Sequence, residues 1–427
     1  MNRQSPKLFQ KVRVLDPIHH SDHRADILIV DDQIAAVETH LPTPSSETEV
    51  INAEALIFAP GLTDLYSHSG EPGHEERDTL HSLAAAAAAG GFTTLAILPD
   101  THPAIDSAPI VQSLKTQNQL LKNSPEPKAQ LEFWGALTLQ GAGKQMAELL
   151  QLLEAGAIGF SNDQPLTDLS MLRRILEYLQ PFNYPIAFTP ADLSLRGNGV
   201  LREGLDSLRL GLTGDPAISE TAALAAILEI VSLTQCPVHL MRISTQRGVE
   251  LISQAKDKGL PITASTTWMH LLLDTTAAAS YDPHLRLTPP LGNPSDRLAL
   301  IDAVAEGVID AIAIDHIGYT YEEKAVGFSE APPGVIGLEF ALPLLWQAFV
   351  FTGQWSALQL WQALSANPRR CLNQDPLKLS VGQPLNAVLF DPQKTWLVNS
   401  DTTHSLSTNS FWWGERVTGK VIDIWIP

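Results

Sequence analysis

The feature that most constrains the fold is a regular alternation of short apolar runs with helical stretches, clearest from about Phe92 onward. Near-continuous apolar runs are typical of parallel strands that are buried on both faces. Glycine follows several of the helical stretches, as expected where a helix ends in the left-handed conformation. The eight predicted strands are residues 60–68, 92–99, 131–138, 157–161, 185–189, 238–244, 262–267 and 309–315.

Eight strand–helix units of this kind predict a closed (β/α)8, or TIM, barrel of the α/β class. The barrel is expected to span residues 59–374. A doubly wound open sheet also alternates strands with helices, and it is the competing architecture. In a barrel the catalytic residues lie at the carboxyl ends of the strands, so polar residues at those ends are the first candidates for a functional site.

Both ends of the chain depart from this rhythm. Residues 10–58 contain short alternating runs such as ADILIVDD, and residues 384–427 contain NAVLFDP and GKVIDIWIP. Alternation of apolar and polar residues is typical of strands with one buried face. Because barrel-like sequence separates the two ends, we expect residues 1–58 and 375–427 to pair into one small β-sandwich domain.

Charge and cysteine content exclude several classes of partner and location. The net charge is −19, which opposes binding to nucleic acid or to an anionic membrane surface. The two cysteines, Cys236 and Cys371, are far apart, so no disulfide framework is expected. The first residues lack the apolar stretch of a signal peptide, and no run of about 18 apolar residues predicts a membrane span. We expect a cytoplasmic protein.

Several predicted strand ends carry residues that could bind a metal ion or act in catalysis. Tyr66 and His68 share a face, because alternate strand residues point the same way. A His-x-His pair there would be a strong metal signal, whereas a lone histidine is more often a hydrogen-bonded structural residue. Asp315 is a candidate ligand or general base, with a buried ion pair as the structural alternative. The other strand-end candidates are Asn162, Asp163, Thr189, Arg242 and His316.

Three long segments resemble motifs of bacterial dihydroorotases. They are PGLTDLYSHSGEPGHEERDTL with the following AAAAAAGGFTTLAILPDTHP, the central CPVHLMRISTQRGVELISQAKDKGLPITASTTWMHLLL, and DAIAIDHIGYTYEEKAVGFSEAPPGVIGLEFALPLL. The segments occur in the family's order, and the terminal β regions are also similar. The resemblance implies a metal-dependent amidohydrolase barrel with a β-sandwich, a zinc centre, and reversible cyclisation of N-carbamoyl-aspartate to dihydroorotate in pyrimidine biosynthesis.

The resemblance also shows that most metal-ligand positions are substituted. The family's His-x-His reads Tyr66-Ser-His68 here, and two later ligand histidines align with Thr189 and Arg242. Tyrosine, threonine and arginine do not replace imidazole as zinc ligands, and arginine adds a fixed positive charge. His68 and Asp315, which aligns with the family's ligand and general base, are retained.

Other functional positions of the family are incompletely matched. The bridging carboxylate aligns with the pair Asn162-Asp163, and the pattern leaves open which member corresponds, so Asp163 is a possible ligand. Substrate-binding positions are mostly substituted, and the resemblance assigns them to Gly70, Asp100, Thr288 and His316. An acidic residue at the Asp100 position would repel an anionic substrate.

Without a metal ion, a buried Asp315 needs another cation to remain ionised. We therefore predict that Arg242 occupies the vacated metal region and pairs with Asp315. His239 and His270 lie in apolar segments and are expected to be structural.

These substitutions favour a catalytically inactive homologue that binds no cofactor. By analogy with inactive family members, it would serve as a partner subunit of aspartate transcarbamoylase, and it is expected to form a homo-oligomer. One alternative is a working cyclic-amide hydrolase whose zinc site has been rebuilt. Another is a protein that uses the pocket to bind or sense a small molecule.

Overall fold

The computed structural model describes residues 5–43, 45, 47–121, 124 and 126–427. Strands alternate with helices through most of this length. The strands are β1 (Lys7–Asp16), β2 (Ser21–Val30), β3 (Gln33–Glu38), β4 (Glu49–Asn52), β5 (Ile57–Pro60), β6 (Leu62–Ser67), β7 (Phe92–Ile97), β8 (Gln130–Phe133), β9 (Gly135–Ala136), β10 (Phe160–Ser161), β11 (Ile186–Phe188), β12 (Leu201–Arg202), β13 (Gly214–Asp215), β14 (Val238–Leu240), β15 (Ile262–Thr267), β16 (Ala311–Ala313), β17 (Ala387–Leu397) and β18 (Arg416–Trp425).

The helices cover the outside of the central strands. The α-helices are α1 (Leu80–Ala89), α2 (Ala108–Leu121), α3 (Leu149–Ala155), α4 (Leu169–Leu179), α5 (Leu193–Arg196), α6 (Leu205–Leu210), α7 (Ile218–Thr234), α8 (Gln246–Asp257), α9 (Trp268–Leu272), α10 (Pro294–Glu306), α11 (Tyr321–Lys324), α12 (Ala341–Leu345), α13 (Ala357–Trp361) and α14 (Asn367–Cys371). Short 3-10 helices span Leu139–Gly141, Thr275–Ser280 and Pro283–Leu285, and π-helical turns span Trp346–Val350 and Gln362–Ala366.

The central strands form a closed parallel barrel. Pairing follows the order β6-β7-β8 and, in a second run, β9-β10-β11-β14-β15-β16. The Trp134 amide donates to the Ile97 carbonyl at 3.0 Å and joins the two runs. The ring closes where the Asp315 amide donates to the Tyr66 carbonyl at 3.1 Å, beside β6 and β16. The doubly wound open sheet is therefore not the architecture of this chain.

All eight predicted barrel strands are present, but most are shorter than predicted. The predicted runs 238–244 and 309–315 pair only over Val238–Leu240 and Ala311–Ala313. Beyond them, Arg242 and Asp315 have φ values of 57° and 53°, a left-handed conformation that cannot continue a strand ladder. Pro60 was wrongly placed in the first barrel strand, because it pairs with β17 as the last residue of β5.

The helix boundaries follow from capping residues in the sequence. Thr79 caps α1 by accepting a hydrogen bond from the Ser82 amide, and six consecutive alanines let this helix pack closely on the barrel. Asn293 precedes α10, which has proline at its first turn and ends at Gly307 with a φ of 78°. Such short-range signals hold the outer helices in register with the strands that they follow.

The two ends of the chain meet in a separate seven-stranded sheet. Its order is β18-β17-β5-β1-β2-β3, with β4 paired to β1. Trp425 packs against Phe9 and Phe58, with ring centroids 6.0 and 5.6 Å apart, so residues from both termini share one apolar core. The division at residues 58 and 375 stays a prediction, and residues 1–4, 44 and 46 of the predicted domain lie outside the described residues.

Within the described part of the chain, no helix is both long and apolar enough to cross a membrane. Cys236 and Cys371 are buried and are not joined to each other. Burial raises the pKa of the Cys236 thiol to about 11, and it raises the pKa of Cys371 as well, so both thiols stay protonated at neutral pH.

Candidate functional site

Two residues of opposite charge face each other at the carboxyl ends of β14 and β16. Arg242 Nε donates to Asp315 Oδ2 at 2.8 Å, and Arg242 Nη2 donates to Asp315 Oδ1 at 2.7 Å. Both side chains are largely buried, with 4% and 12% of their surface exposed. A bidentate guanidinium–carboxylate pair is among the strongest and most directional contacts in proteins. The predicted pairing of Arg242 with Asp315 is confirmed.

The rest of the Arg242 guanidinium contacts residues from three other strand ends. Nη1 lies 3.2 Å from Asp163 Oδ1 and 3.4 Å from Thr189 Oγ1, while Nη2 lies 2.9 Å from His68 Nε2. Since these residues follow β10, β11 and β6, barrel closure brings together positions that are distant in sequence. We refer to His68, Asp163, Arg242 and Asp315 as the guanidinium cluster.

Tyr66 lies beneath this cluster. Its hydroxyl accepts a hydrogen bond from the Arg242 amide at 3.1 Å and lies 3.0 Å from Ser265 Oγ. The Arg242 guanidinium carbon is 5.5 Å from the centre of the Tyr66 ring, a distance at which the ring attracts a cation. The tyrosine therefore supports the arginine, both through its hydroxyl and through its ring face.

The structure decides which member of the Asn162–Asp163 pair faces the cluster. Asn162 is buried and turned away: its Oδ1 accepts from the Leu137 amide at 3.0 Å and its Nδ2 donates to Thr138 Oγ1 at 2.9 Å. Asp163 instead contacts Arg242. Of the two side chains, only the Asp163 carboxylate is placed where a bridging ligand would be needed.

His68 lies between the guanidinium and three carboxylates. Its Nδ1 is 2.6 Å from Asp100 Oδ2, and its Nε2 is 3.4 Å from Asp315 Oδ1. Burial lowers the pKa of His68, but the Asp100 charge and the other carboxylates outweigh it and raise that pKa to about 10. The contact with Arg242 Nη2 opposes this rise, since a guanidinium has no acceptor. Because three carboxylates outnumber one guanidinium around the ring, the net shift of the His68 pKa is upward.

The pKa values of the two cluster carboxylates, Asp163 and Asp315, shift downward. Burial raises the pKa of Asp315, but the charge of Arg242 and the hydrogen bonds from Arg242 and His68 hold it well below the usual range. Arg242 and His68 lower the pKa of Asp163 in the same way, against desolvation. Asp315 is consequently a weak base with both oxygens engaged.

A metal ion does not fit this donor set. The best candidate group, His68, Asp100 and Asp163, offers ligand atoms within 4.8 Å of one another. However, the donor atoms of His68 and Asp163 already face Arg242, which is fully charged and cannot be a ligand. A divalent ion between them would sit beside a fixed positive charge, and three of the imidazoles expected from the family pattern are absent.

Above the guanidinium cluster lies a cavity of about 360 Å³ that opens at the barrel mouth. Gly70, Asp100 and Thr288, predicted as substrate-binding positions, line it. A Cβ at Gly70 would collide with the carbonyl oxygens of His74 and Asp78, so the local backbone excludes a larger side chain there. A side chain as large as arginine therefore does not fit at this position.

His316, the fourth predicted substrate position, is not part of the cavity lining. Its Nε2 lies 3.3 Å from Asp78 Oδ2 and its Nδ1 accepts from the Gly337 amide at 3.3 Å. The side chain is 2% exposed. These partners hold the ring inside the protein, and its role in substrate binding stays a prediction.

His239 and His270 are structural, as predicted. His239 bridges Thr263 Oγ1 at 2.8 Å and Ser265 Oγ at 2.9 Å, and burial lowers its pKa to about 3. Burial likewise lowers the pKa of His270 to about 4. Both rings are therefore neutral at physiological pH, in contrast to His68.

Sequence reasoning missed a second group of charged residues at the cavity. Arg196, Arg202 and Asp215 follow β11, in a segment that matches none of the quoted motifs, and they line the cavity with Glu220. Arg202 Nη2 donates to Ser244 Oγ at 2.7 Å, and Glu220 accepts from the backbone and hydroxyl of Ser244. The density of arginines in LSLRGNGVLREGLDSLRL was the only available signal.

Comparison with known proteins defines the class first. The structure resembles the L-hydantoinase of Arthrobacter aurescens, with a TM-score of 0.82 and 21% identity over 97% of this chain and 93% of that one. It also resembles a D-hydantoinase from Thermus sp., with a TM-score of 0.79 and 21% identity over 98% and 94% of the two chains. The predicted fold class, an amidohydrolase barrel with a β-sandwich, is confirmed.

Sequence comparison then identifies the family. A family profile described as Dihydro-orotase-like matches residues 55–247. A "Probable dihydroorotase-like protein" of Synechocystis sp. is 45% identical over 96% of this chain and 98% of its own length. A "Dihydroorotase" of Syntrophotalea carbinolica is 34% identical over 96% and 95%. The chain belongs to the dihydroorotase-like family.

Proposed function

We propose that this chain is a catalytically inactive member of the dihydroorotase-like family that acts in pyrimidine biosynthesis as a partner subunit of aspartate transcarbamoylase. One observation carries the inactivity: the Arg242 guanidinium binds Asp315, Asp163 and His68 at the same time. A fixed organic cation thus stands where dihydroorotase chemistry needs zinc.

The size of the missing effect supports this proposal. Zinc lowers the pKa of bound water from about 15.7 to about 7, which corresponds to about 12 kcal/mol in hydroxide availability. A guanidinium offers no empty coordination position, so it cannot bind and activate water in this way. Asp315, the aligned general base, has a depressed pKa and is held by two hydrogen bonds, and such a carboxylate is a poor proton acceptor.

The substrate side of the cavity also argues against the reaction. N-carbamoyl-aspartate carries two carboxylates, and Gly70 offers neither of them a cation. Asp100 lines the same cavity and adds a like charge. Juxtaposed like charges cost several kcal/mol in a binding site, which opposes capture of this dianion.

The partner role rests on the resemblance to inactive family members, and a surface feature supports it. Leu205 and Leu208 on α6 are 69% and 81% exposed, near the barrel mouth. Neighbouring large apolar side chains at the surface are typical of protein contacts. We therefore propose that aspartate transcarbamoylase contacts the segment between β11 and α7.

Metal content and turnover test the inactivity. The purified chain, dialysed against zinc and then washed, is expected to retain substoichiometric zinc and to interconvert N-carbamoyl-aspartate and dihydroorotate no faster than buffer. The triple variant Tyr66→His, Thr189→His, Arg242→His, which restores the expected imidazoles, serves as the control and should gain tightly held zinc. Turnover with one or two zinc ions per wild-type chain would overturn the proposal.

Co-purification tests the partner role. Tagged chain should retain aspartate transcarbamoylase from the same organism, and Leu208→Asp should abolish this retention. Leu233→Asp is the matched control, because Leu233 is 67% exposed and lies at the end of α7, away from α6. Equal retention by the two variants would contradict the assigned surface, and no retention by the wild type would contradict the partner.

The alternative, a hydrolase with a rebuilt zinc site, is favoured by the proximity of His68, Asp100 and Asp163. This reading expects stoichiometric zinc that is lost in Asp100→Asn. Measurement of zinc in that variant beside the wild type separates the two candidate functions.

A further inference from the structure

The cavity above the guanidinium cluster has a negative floor. Asp100, Asp163 and Asp315 face two groups that can be positive, Arg242 and His68. Even with His68 protonated, three carboxylates against two cations leave one net negative charge. Asp100 and Asp163 remain 32% and 18% exposed, so this charge is accessible to a molecule in the cavity.

Two arginines line another side of the same cavity, Arg196 and Arg202. Arg202 is 1% exposed, its Nη1 lies 3.6 Å from Asp215 Oδ1, and its Nε has no hydrogen-bond partner among the described residues. Arg196 forms no ion pair of up to 4.0 Å with any residue that the structure describes. Asp215 and Glu220 equal the two arginines in number, but neither lies within ion-pair distance of Arg196, so the Arg196 charge is available to a ligand.

A third arginine is repelled by Arg196. Burial and, after it, the Arg196 charge lower the pKa of Arg286 to about 10. Guanidinium groups that repel one another in this way are stabilised when an anion lies between them. Arg196 is thus placed to bind an anionic group that the protein itself does not supply.

We propose that this cavity binds a small zwitterion of the α-amino acid type, with its carboxylate at Arg196 and its ammonium group at Asp100 and Asp163. Arg202 lines the same cavity and adds a second positive charge. A dianion such as N-carbamoyl-aspartate does not match, because its second carboxylate would meet the negative floor. The inference rests on the proposed function in one respect: the floor is formed by a guanidinium rather than by zinc.

Calorimetric titration of the full chain with each of the twenty standard α-amino acids tests the proposal. At least one should bind, and its analogues lacking either the amino or the carboxylate group should bind far more weakly. Removal of a hydrogen bond between charged groups costs about tenfold to a hundredfold in affinity, so Arg196→Ala and Asp100→Asn should each weaken binding by that factor. Arg209→Ala is the matched control, since Arg209 is exposed on α6 and is not part of the cavity lining.

The absence of binding by all twenty amino acids at millimolar concentration would overturn the proposal, as would unchanged affinity in Arg196→Ala. Tighter binding of N-carbamoyl-aspartate than of any amino acid would also overturn it. These outcomes are independent of zinc content and turnover. An inactive, zinc-poor chain that binds no amino acid would contradict this inference alone, and a zinc-loaded active chain would contradict the proposed function.

Discussion

The two buried arginines at the barrel mouth, Arg242 and Arg202, are partnered very differently. Arg242 donates through all three of its nitrogens, including two bonds to one carboxylate at 2.7 and 2.8 Å. Arg202 donates one hydrogen bond to Ser244 Oγ and one to the Asp215 carbonyl, while its Nε has no partner in the part of the chain that the structure describes. The charge of Arg242 is thus neutralised by carboxylates of the same chain, whereas Arg202 keeps one N–H donor that could bind a ligand.

This difference in hydrogen-bond partners indicates that Arg242 has a structural role and that Arg202 is available for ligand binding. Arg242 stands at a position that the resemblance assigns to a metal-ligand histidine, and each of its three side-chain nitrogens already has a partner. Arg202 lines the same cavity as the half-buried Arg196, which forms no ion pair with a described residue. Buried charges that are fully paired stabilise a unique arrangement, whereas incompletely paired charges attract an external partner.

The largest expected effect comes from Arg242→Met. Removal of this guanidinium leaves Asp163 and Asp315 beside each other with only the His68 ring to compensate their charge. Loss of one member of a buried ion pair costs about 3–5 kcal/mol, so the free energy of unfolding should fall by that amount. Urea unfolding measures it, with Arg209→Met as an exposed control. A loss below about 1 kcal/mol would show that Arg242 does not neutralise the cluster.

Arg202→Met should have a smaller effect. Asp215 keeps the hydrogen bond from Ser219 Oγ at 2.5 Å, and the Arg202 contacts that are lost are fewer. We expect a loss of about 1–3 kcal/mol in the free energy of unfolding. The contrast between the two arginines fails if this loss equals or exceeds that of Arg242→Met in the same urea titration.

The third expected effect is a pH dependence of stability, to which His68 contributes. Because the folded pKa of His68 is raised to about 10, His68 stabilises the fold fully below its unfolded value of about 6.5, and this contribution is lost as the pH rises toward 10. Asp163 and Asp315 have lowered pKa values, so their contribution is present above about pH 3.9 and is lost in more acidic solution.

Urea unfolding at several pH values, on wild type and on His68→Gln, checks this prediction. The wild type should lose stability between pH 6.5 and 10, and the variant should lose less. His239→Gln is the control, because the pKa of His239 is lowered to about 3 and it stays neutral throughout that range. Identical alkaline profiles for wild type and His68→Gln would mean that Arg242 keeps the His68 ring neutral.

Several structural conclusions were predictable from local sequence. The strand–helix rhythm predicted all eight barrel strands, because buried parallel strands and glycine-terminated helices are short-range patterns. The long motifs predicted the family, and they predicted that Tyr66, Thr189 and Arg242 stand where the family has histidines. Even the pairing of Arg242 with Asp315 followed from the rule that a buried carboxylate needs a cation.

Other conclusions required the tertiary structure. Three features have no signature in spacing or composition. They are the choice of Asp163 over Asn162, the location of His316 away from the cavity, and the meeting of Arg196 and Arg202 at one cavity. The side chains involved lie up to 238 residues apart, as for His316 and Asp78. The sequence by itself thus determined the barrel and the family. Barrel closure decided which charges meet, because electrostatic contacts depend on distance in space and not along the chain.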